Sequence, residues 1–206
     1  MRAAGTSGRA RSVLVETVLL ITIAAVIALV LRAVVAQAFS IPSASMSPQL
    51  LVGDRVLVSK LAYPMHEAHR GDIVVFDCPP DADCTDVVES PALVTRALFG
   101  VLEAVGLRAP STEEYIKRVV ALPGETVEGR SGTVYVDGRR LVEPYLPAGT
   151  ATGDFGPVEV PPGHLFVMGD NRPSSTDSRV FGPIPRSNVV GRTIVRVWPP
   201  ASAGFL

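Results

Sequence analysis

The sequence predicts a mainly β fold: an antiparallel, partly barrel-like β domain preceded by one N-terminal transmembrane helix. Three features support this prediction. Short alternating or apolar segments recur between turns, the chain carries 18 glycines and 18 prolines but only 6% aromatic residues, and one long apolar segment lies near the N-terminus. Frequent turns between short strands are typical of antiparallel sheets rather than of helical bundles. The formal net charge of −1 gives no indication of a nucleic-acid partner.

The N-terminal apolar segment covers residues 13–35, and its only charged residues are Glu16 and Arg32. At ~1.5 Å per residue, a helix of this length spans a hydrocarbon core of ~30 Å. Residues 1–12 contain three arginines and no acid. The positive-inside rule therefore predicts a cytoplasmic basic tail, an anchor in the lipid bilayer of the cell membrane, and an extracytoplasmic domain at residues 36–206.

A cleaved secretory signal is the alternative for the same segment. Ala36-Gln37-Ala38 resembles the A-x-A site at which such signals are cut. The apolar segment is longer than a usual signal core, however, and Arg32 interrupts the approach to that site. The segment itself favours the anchor, and either alternative leaves the rest of the chain exported.

The exported part predicts a series of short strands separated by turns. Alternation of apolar and polar residues and bounding Gly or Pro residues define most of them. Asp137-Gly138 between two such segments predicts a β-hairpin. After an extended segment at Phe39–Ile41, the predicted strands are Arg55–Ser59, Ile73–Phe76, Tyr115–Leu122, Thr133–Val136, Arg140–Val142, His164–Met168 and Gly191–Trp198.

An irregular insertion at about residues 77–114 interrupts these strands. One apolar stripe predicts a helix at Ala92–Leu107, which either packs on the core or lies in the membrane interface. The insertion also holds both cysteines, Cys78 and Cys84, in a short Pro-rich loop. In an oxidising compartment this spacing predicts a disulfide; otherwise the two remain free thiols. The sequence contains no matching second pair of ligands, so it does not predict a metal site.

Ser45 is the candidate nucleophile, because it lies a few residues beyond the apolar segment, in Ile41–Pro48. Serine is a poor nucleophile unless a base activates it. Three histidines are available. His66 and His69 lie in a polar stretch expected to be an exposed loop, and His164 opens a strand. We therefore interpret all three as surface residues.

A lysine is the alternative base, provided that it is uncharged, which burial among apolar groups favours. Of the two lysines in the chain, Lys60 follows a strand and is expected to be solvated. Lys117 lies inside a strand of mostly apolar residues. Alternation along that strand puts Lys117 and Arg118 on opposite faces, so either one of them points inward or both extend to solvent.

Four segments together identify a family. The serine segment, Gly53-Asp54, the strand that carries Lys117, and Gly169–Arg179 occur in this order after the apolar segment. In this combination the chain resembles the bacterial type I signal peptidases (leader peptidases, peptidase family S26), from the anchor to about Trp198. The resemblance implies a mostly β catalytic domain on the outer face of the membrane.

The resemblance also implies roles for individual residues. Ser45 corresponds to the nucleophile and Lys117 to the general base, while Ser175 corresponds to the residue that orients the lysine. The Ser43 hydroxyl joins the Ser45 backbone N–H in the oxyanion hole. Asp177 and Arg179 correspond to residues that give structural support to the active-site turn. Shallow apolar substrate pockets are expected to be lined by Phe39, Ile41, Pro42, Met46, Leu50 and Ile116.

The function that follows from the resemblance is a membrane-bound serine endopeptidase with a Ser-Lys dyad. It would remove N-terminal signal peptides from exported preproteins after small residues at A-x-A sites, and it needs no cofactor. Two alternatives differ from it. One is another Ser-Lys peptidase, such as a self-cleaving repressor, which the anchor and the lack of a DNA-binding element argue against. The other is an inactive, membrane-tethered β domain that binds peptides.

Overall fold

The computed structural model describes residues 13–25, 36–79 and 114–206. Residues 13–25 are helical, and their large apolar side chains are exposed. Within these three ranges, no helix has the length and apolar character needed to cross a bilayer. The basic tail, residues 26–35 of the predicted anchor, and residues 80–113 with Cys84 and the predicted helix at Ala92–Leu107 lie outside the described residues. The anchor and the insertion therefore stay predictions.

Twelve strands are present in the described residues, numbered here along the chain. They are β1 Ala36–Ser40, β2 Arg55–Ser59, β3 Ile73–Asp77, β4 Glu114–Ala121, β5 Thr126–Arg130, β6 Thr133–Val136, β7 Arg139–Arg140, β8 Phe155–Glu159, β9 His164–Met168, β10 Ile184–Pro185, β11 Val189–Trp198 and β12 Gly204–Phe205. Short helical turns connect them, at Ala44–Met46, Ala62–Met65, Arg172–Ser174, Ser178–Phe181, Arg186–Asn188 and Pro200–Ser202.

These strands form two sheets. The large sheet has the order β1-β2-β11-β3-β4-β9-β10, with β12 paired to β11, and the small sheet has the order β7-β6-β5-β8. The pairs are antiparallel. The prediction of a mainly β, antiparallel fold is confirmed. Among the described strands, neither sheet closes on itself, so the barrel-like part of that prediction is not supported.

The predicted hairpin is present, and the small sheet contains two strands that were not predicted. Asp137 and Gly138 connect β6 to β7 with φ values of +50° and +70°, as a tight hairpin turn requires. Strands β5 and β8 were missed because glycine and proline weaken the strand signal. Gly129 of β5 has a structural reason, since a Cβ there would lie 2.5 Å from an atom of the Phe155 ring in β8.

Strand β4 lies where three clusters of buried apolar side chains meet. Ile116 belongs to a cluster under β1, β2 and β3, while Tyr115 and Val119 belong to a second one with residues of β3 and β9. Val120 belongs to a third cluster, which joins the large sheet to the small one. Every residue of β4 after Glu114 is therefore buried, including the two charged ones. This location decides the environment of Lys117.

Candidate active site

The candidate nucleophile lies on a short helical turn that follows β1. Ser45 is the middle residue of the turn Ala44–Met46 and is only 3% exposed. Met46 fixes the turn, because its side chain is fully buried in the cluster that contains Ile116. Upstream, Ile41 exchanges backbone hydrogen bonds of 2.8 and 2.9 Å with Asp54 and Gly53. The chain therefore enters the serine turn along a fixed path.

The side chain of Lys117 reaches this serine from the centre of β4. Lys117 is 1% exposed, and its Nζ donates a hydrogen bond of 2.7 Å to Ser45 Oγ. Its Nζ also lies 5.9 Å from the centroid of the Tyr115 ring. An uncharged amine in this position would accept the Ser45 proton across the same contact. The structure thus brings together the two residues that the sequence analysis paired.

Arg118, the neighbour of Lys117, is buried too, although its side chain makes different contacts. Its guanidinium donates to both carboxylate oxygens of Asp170, at 2.8 and 2.7 Å, and to Gly71 O at 2.8 Å. The alternation along the strand predicted that one side chain points inward or that both reach solvent. Both are buried because β4 is a central strand covered by side chains on each face.

The two serines with predicted supporting roles differ in what they contact. Ser43 Oγ lies 3.2 Å from Ser45 Oγ, beside the candidate nucleophile. Ser175 Oγ is buried and has no hydrogen-bond partner among the described residues, so the predicted bond to Lys117 is not formed in this structure. It lies close to the site nevertheless. A Cβ built on Gly169 would collide with Ser175 Oγ and lie 2.5 Å from Ser45 O.

Asn171 attaches the serine turn to the segment that follows β9. Its backbone N–H donates to Ser45 O at 2.9 Å, and its Nδ2 donates to Ala44 O at 3.1 Å. The absence of a side chain on Gly169 allows this close approach. Asn171 belongs to one of the four motifs, but no role was predicted for it. The motif Gly169-Asp170-Asn171 was the available signal, but it does not say which carbonyl the amide contacts.

Asp177 and Arg179 bond to each other and to the backbone of the segment that follows β9. Asp177 is fully buried, caps the helical turn Ser178–Phe181 and accepts a hydrogen bond of 2.9 Å from the backbone of Gly169. The Arg179 guanidinium contacts both Asp177 carboxylate oxygens at 2.8 Å and donates to Arg172 O at 2.8 Å. These contacts connect the two ends of the segment.

A second buried arginine connects the same segment to the small sheet. The Arg172 guanidinium donates to both carboxylate oxygens of Glu143, to Thr152 Oγ1 at 2.8 Å and to Gly169 O at 3.1 Å. Burial acts to lower the pKa of Arg172, but the hydrogen bond and the charge of Glu143 outweigh it and raise that pKa. Neither Glu143 nor Arg172 was predicted from the sequence to have a role.

A shallow depression of about 20 Å³ opens beside the serine turn. Four of the six predicted pocket residues line it: Phe39, Ile41, Pro42 and Ile116. Its other lining residues are Ser40, Val75, Glu114 and Tyr115. Met46 and Leu50 do not line it, because both are fully buried in the apolar cluster behind it.

The remaining candidates from the sequence are three histidines and two cysteines. The described hydrogen bonds of Ser45 Oγ go to Lys117 and Ser43, and no histidine takes part. His66 and His69 are exposed, and His164 contacts Pro162 O at 3.0 Å. Cys78 is disulfide-bonded. Its predicted partner Cys84 is outside the described residues, so that pairing stays a prediction.

Comparisons with known proteins point to one family. Residues 14–198 match the family model described as signal peptidase, peptidase S26. The chain is 38% identical to signal peptidase I of Mycobacterium tuberculosis H37Rv, over 95% of this chain and 76% of the relative. It is also 38% identical to signal peptidase I of Leptolyngbya laminosa, over 98% and 89%. A crystal structure of a signal peptidase I from Enterococcus faecalis V583 is similar at 28% identity and a TM-score of 0.40, over 62% and 97%.

Proposed function

This chain belongs to the signal peptidase family, peptidase S26, and from that premise we propose that it is a membrane-bound serine endopeptidase that removes N-terminal signal peptides from exported preproteins. The observation that carries the proposal is the 2.7 Å contact between Lys117 Nζ and Ser45 Oγ, two side chains that are almost fully buried. A buried amine in contact with a hydroxyl is the arrangement that a Ser-Lys dyad needs.

In the proposed acylation step, Ser45 Oγ attacks the carbonyl carbon of the scissile bond while uncharged Lys117 takes its proton. The developing oxyanion is stabilised by the Ser43 hydroxyl, whose Oγ lies 3.2 Å from Ser45 Oγ, and by the Ser45 backbone N–H. As the intermediate collapses, Lys117 returns the proton to the leaving amine and an ester with Ser45 remains. Water then cleaves that ester, with Lys117 again acting as the base.

The surroundings of Lys117 favour this chemistry. Desolvation disfavours the charged form of an amine, and Lys117 lies among the apolar clusters that meet at β4. Ser175 remains the proposed lysine-orienting residue, because its buried hydroxyl is available for a new hydrogen bond. Catalytic hydrogen bonds often form only when substrate closes the site.

The depression beside the serine turn suits a small substrate side chain. Its volume of about 20 Å³ exceeds only slightly the 10–15 Å³ that one water molecule requires. A methyl group fits such a space. We therefore propose cleavage after small residues, at A-x-A sites, with Phe39, Ile41, Pro42 and Ile116 contacting the substrate.

Attachment to the lipid bilayer is part of the proposal. The described helix at residues 13–25 exposes large apolar side chains, including Leu14 at 66% and Leu20 at 67%. Contiguous apolar surface of this kind is unusual in water. We propose that residues 13–35 anchor the chain, with the basic tail in the cytoplasm and residues 36–206 outside. Full-length protein should then remain with the membrane after a high-salt wash and dissolve in detergent; recovery in the soluble fraction would contradict the anchor.

The decisive experiment is cleavage of a synthetic signal peptide with an A-x-A site by full-length protein in detergent. We expect Ser45→Ala and Lys117→Ala each to reduce the rate by about 10⁴-fold or more, because the nucleophile or its base is lost. Matched controls are Ser187→Ala, an exposed serine, and Lys60→Ala, the second lysine in the chain. Turnover retained in Ser45→Ala or Lys117→Ala would rule out the dyad, and an inactive wild type would favour a peptide-binding domain.

A further inference from the structure

The loop between β7 and β8 contacts both buried arginines that flank the candidate site. Arg118 follows Lys117 in β4, and Arg172 follows Asn171, whose backbone N–H bonds to Ser45 O. The two arginines thus hold the two halves of the dyad, one from the lysine side and one from the serine side. A connection between the two arginines would therefore affect the distance between Lys117 and Ser45.

Tyr145 of this loop covers the first arginine. The Arg118 guanidinium lies 4.0 Å from the centroid of the Tyr145 ring, while its N–H groups bond to Asp170 and Gly71. A cation over an aromatic face is attracted to it, and more strongly where water is excluded. Arg118 is 6% exposed, so the ring is part of what keeps this ion pair dry.

Glu143 holds the second arginine and the tyrosine together. Its Oε1 accepts a hydrogen bond of 2.7 Å from the Tyr145 hydroxyl, and its carboxylate accepts two from Arg172. Burial, followed by the charge of Glu143, raises the pKa of Tyr145, so the hydroxyl keeps the proton that it donates. The chain of contacts Arg118–Tyr145–Glu143–Arg172 is therefore continuous.

We infer that Tyr145 and Glu143 are positioning residues, which hold the strand of Lys117 and the segment that docks on Ser45 at a fixed separation. The inference rests on the proposed function of the Ser45–Lys117 dyad and adds two positioning residues from the loop between β7 and β8. Neither residue touches Ser45 or Lys117 through any hydrogen bond described, so their effect acts through Arg118 and Arg172. A displacement of about 1 Å between reacting groups can cost on the order of 100-fold in rate.

The chain offers a matched control for Tyr145. Tyr135 lies in β6 of the small sheet, and the Arg130 guanidinium lies 4.1 Å from the centroid of its ring. Arg130 is exposed, and its carboxylate partner is Glu128 in β5. The two tyrosines make the same type of contact, and only Tyr145 is connected to the arginines that flank the site.

The experiment uses the full chain in detergent and compares Tyr145→Leu, Tyr145→Phe and Tyr135→Leu. For Tyr145→Leu we expect kcat to fall about tenfold with KM within about twofold. The acidic limb of kcat/KM should move to higher pH, because water admitted to the site stabilises charged Lys117. Tyr145→Phe keeps the ring and should recover most of kcat. Tyr135→Leu should match wild type, and equal losses in the two leucine variants would overturn the inference.

A second measurement does not depend on turnover. Amide hydrogen exchange of Asn171 reports how firmly its segment is docked on the serine turn, since this N–H donates to Ser45 O. We expect exchange about tenfold faster in Tyr145→Leu and unchanged in Tyr135→Leu. Faster exchange supports the positioning role even if wild type fails to cleave, which would refute the proposed function alone. Unchanged exchange and unchanged kcat in Tyr145→Leu would refute the positioning role alone.

Discussion

Two neighbouring regions of the molecule hold buried polar side chains by different means. In the proposed dyad of Ser45 and Lys117, the described contacts of Ser45 Oγ are an amine at 2.7 Å and a hydroxyl at 3.2 Å. The residues that support it, which we call the brace, are Asn171 and three arginine–carboxylate pairs. In each pair the arginine bonds to both oxygens of the carboxylate. These pairs are Arg118–Asp170, Arg172–Glu143 and Arg179–Asp177.

This difference shows which of the buried side chains can transfer a proton. Arginine stays charged at any accessible pH, and its planar group fixes the direction of a carboxylate. The brace can therefore set distances but cannot exchange a proton. A lysine changes its charge state when buried, and a serine hydroxyl can give up its proton to it. Lys117 and Arg118 are adjacent in the sequence, but only the lysine can accept a proton, while the arginine fixes a distance.

The largest effect is expected when Lys117 is replaced by an arginine, which carries a permanent charge like the arginines of the brace. Lys117→Arg should reduce the cleavage rate by about 10⁴-fold, because a guanidinium does not accept the Ser45 proton. Raising the pH should not restore it. In wild type the rate should rise with pH, because the proposed base is the uncharged form of Lys117. Lys60→Arg is the control, and a Lys117→Arg variant that regains activity at high pH would contradict the role of the lysine.

The next test weakens the brace. Asp170→Asn leaves the buried Arg118 without its charged partner, so the free energy of unfolding should fall by about 3–5 kcal/mol. Denaturant unfolding followed by tryptophan fluorescence measures this. Glu128→Gln is the control, because Glu128 pairs with exposed Arg130 and such pairs contribute about 1 kcal/mol or less. Equal small losses in both variants would show that Arg118–Asp170 does not support the fold.

A third test returns to the dyad and removes one hydroxyl. Ser43→Ala should reduce kcat by about 10²–10³-fold, the effect of losing one oxyanion donor, with little change in KM. The free energy of unfolding should change little, because Ser43 is only partly buried. Ser43→Thr keeps a hydroxyl and should recover part of the rate. A Ser43→Ala variant with wild-type kcat would remove Ser43 from the oxyanion hole.

The pairing of Ser45 with Lys117 can be predicted from the sequence, whereas most contacts of the brace cannot. Alternating segments locate β2 and β3 to within one residue, and the motifs pair Ser45 with Lys117 although 72 residues separate them. Each of these signals is local: a period along a strand, or a motif of adjacent residues. The family resemblance then connects the motifs without requiring any knowledge of the sheet order.

The contacts of the brace depend on how the strands are arranged, and periodicity does not give that arrangement. Asn171 bonds to Ala44, which is 127 residues away, and Arg172 bonds to Glu143 in a loop of the other sheet. Alternation likewise could not show that β4 is covered on both faces. Arg118 is buried because both faces of β4 are covered. Its sequence pattern alone was equally compatible with a solvent-exposed face.

The smallest expected effect concerns Ser175, which lies between the two regions. Its hydroxyl is buried and lacks a hydrogen-bond partner in the part of the chain that the structure describes, and Arg179 of the brace donates to its carbonyl oxygen at 3.4 Å. Removing a buried polar group that has no partner relieves its desolvation cost. Ser175→Ala should therefore keep or raise the free energy of unfolding, by up to about 1 kcal/mol.

The rate of Ser175→Ala should change in the opposite direction. If the hydroxyl bonds to Lys117 once substrate is bound, its loss removes about 1 kcal/mol of orientation and lowers kcat about fivefold to tenfold. Thermal unfolding and peptide cleavage on the same sample separate the two effects. A gain in stability together with a loss in kcat would place Ser175 with the dyad. Lower stability with unchanged kcat would instead place it in the brace, because a bracing residue acts on the fold and not on the proton transfer.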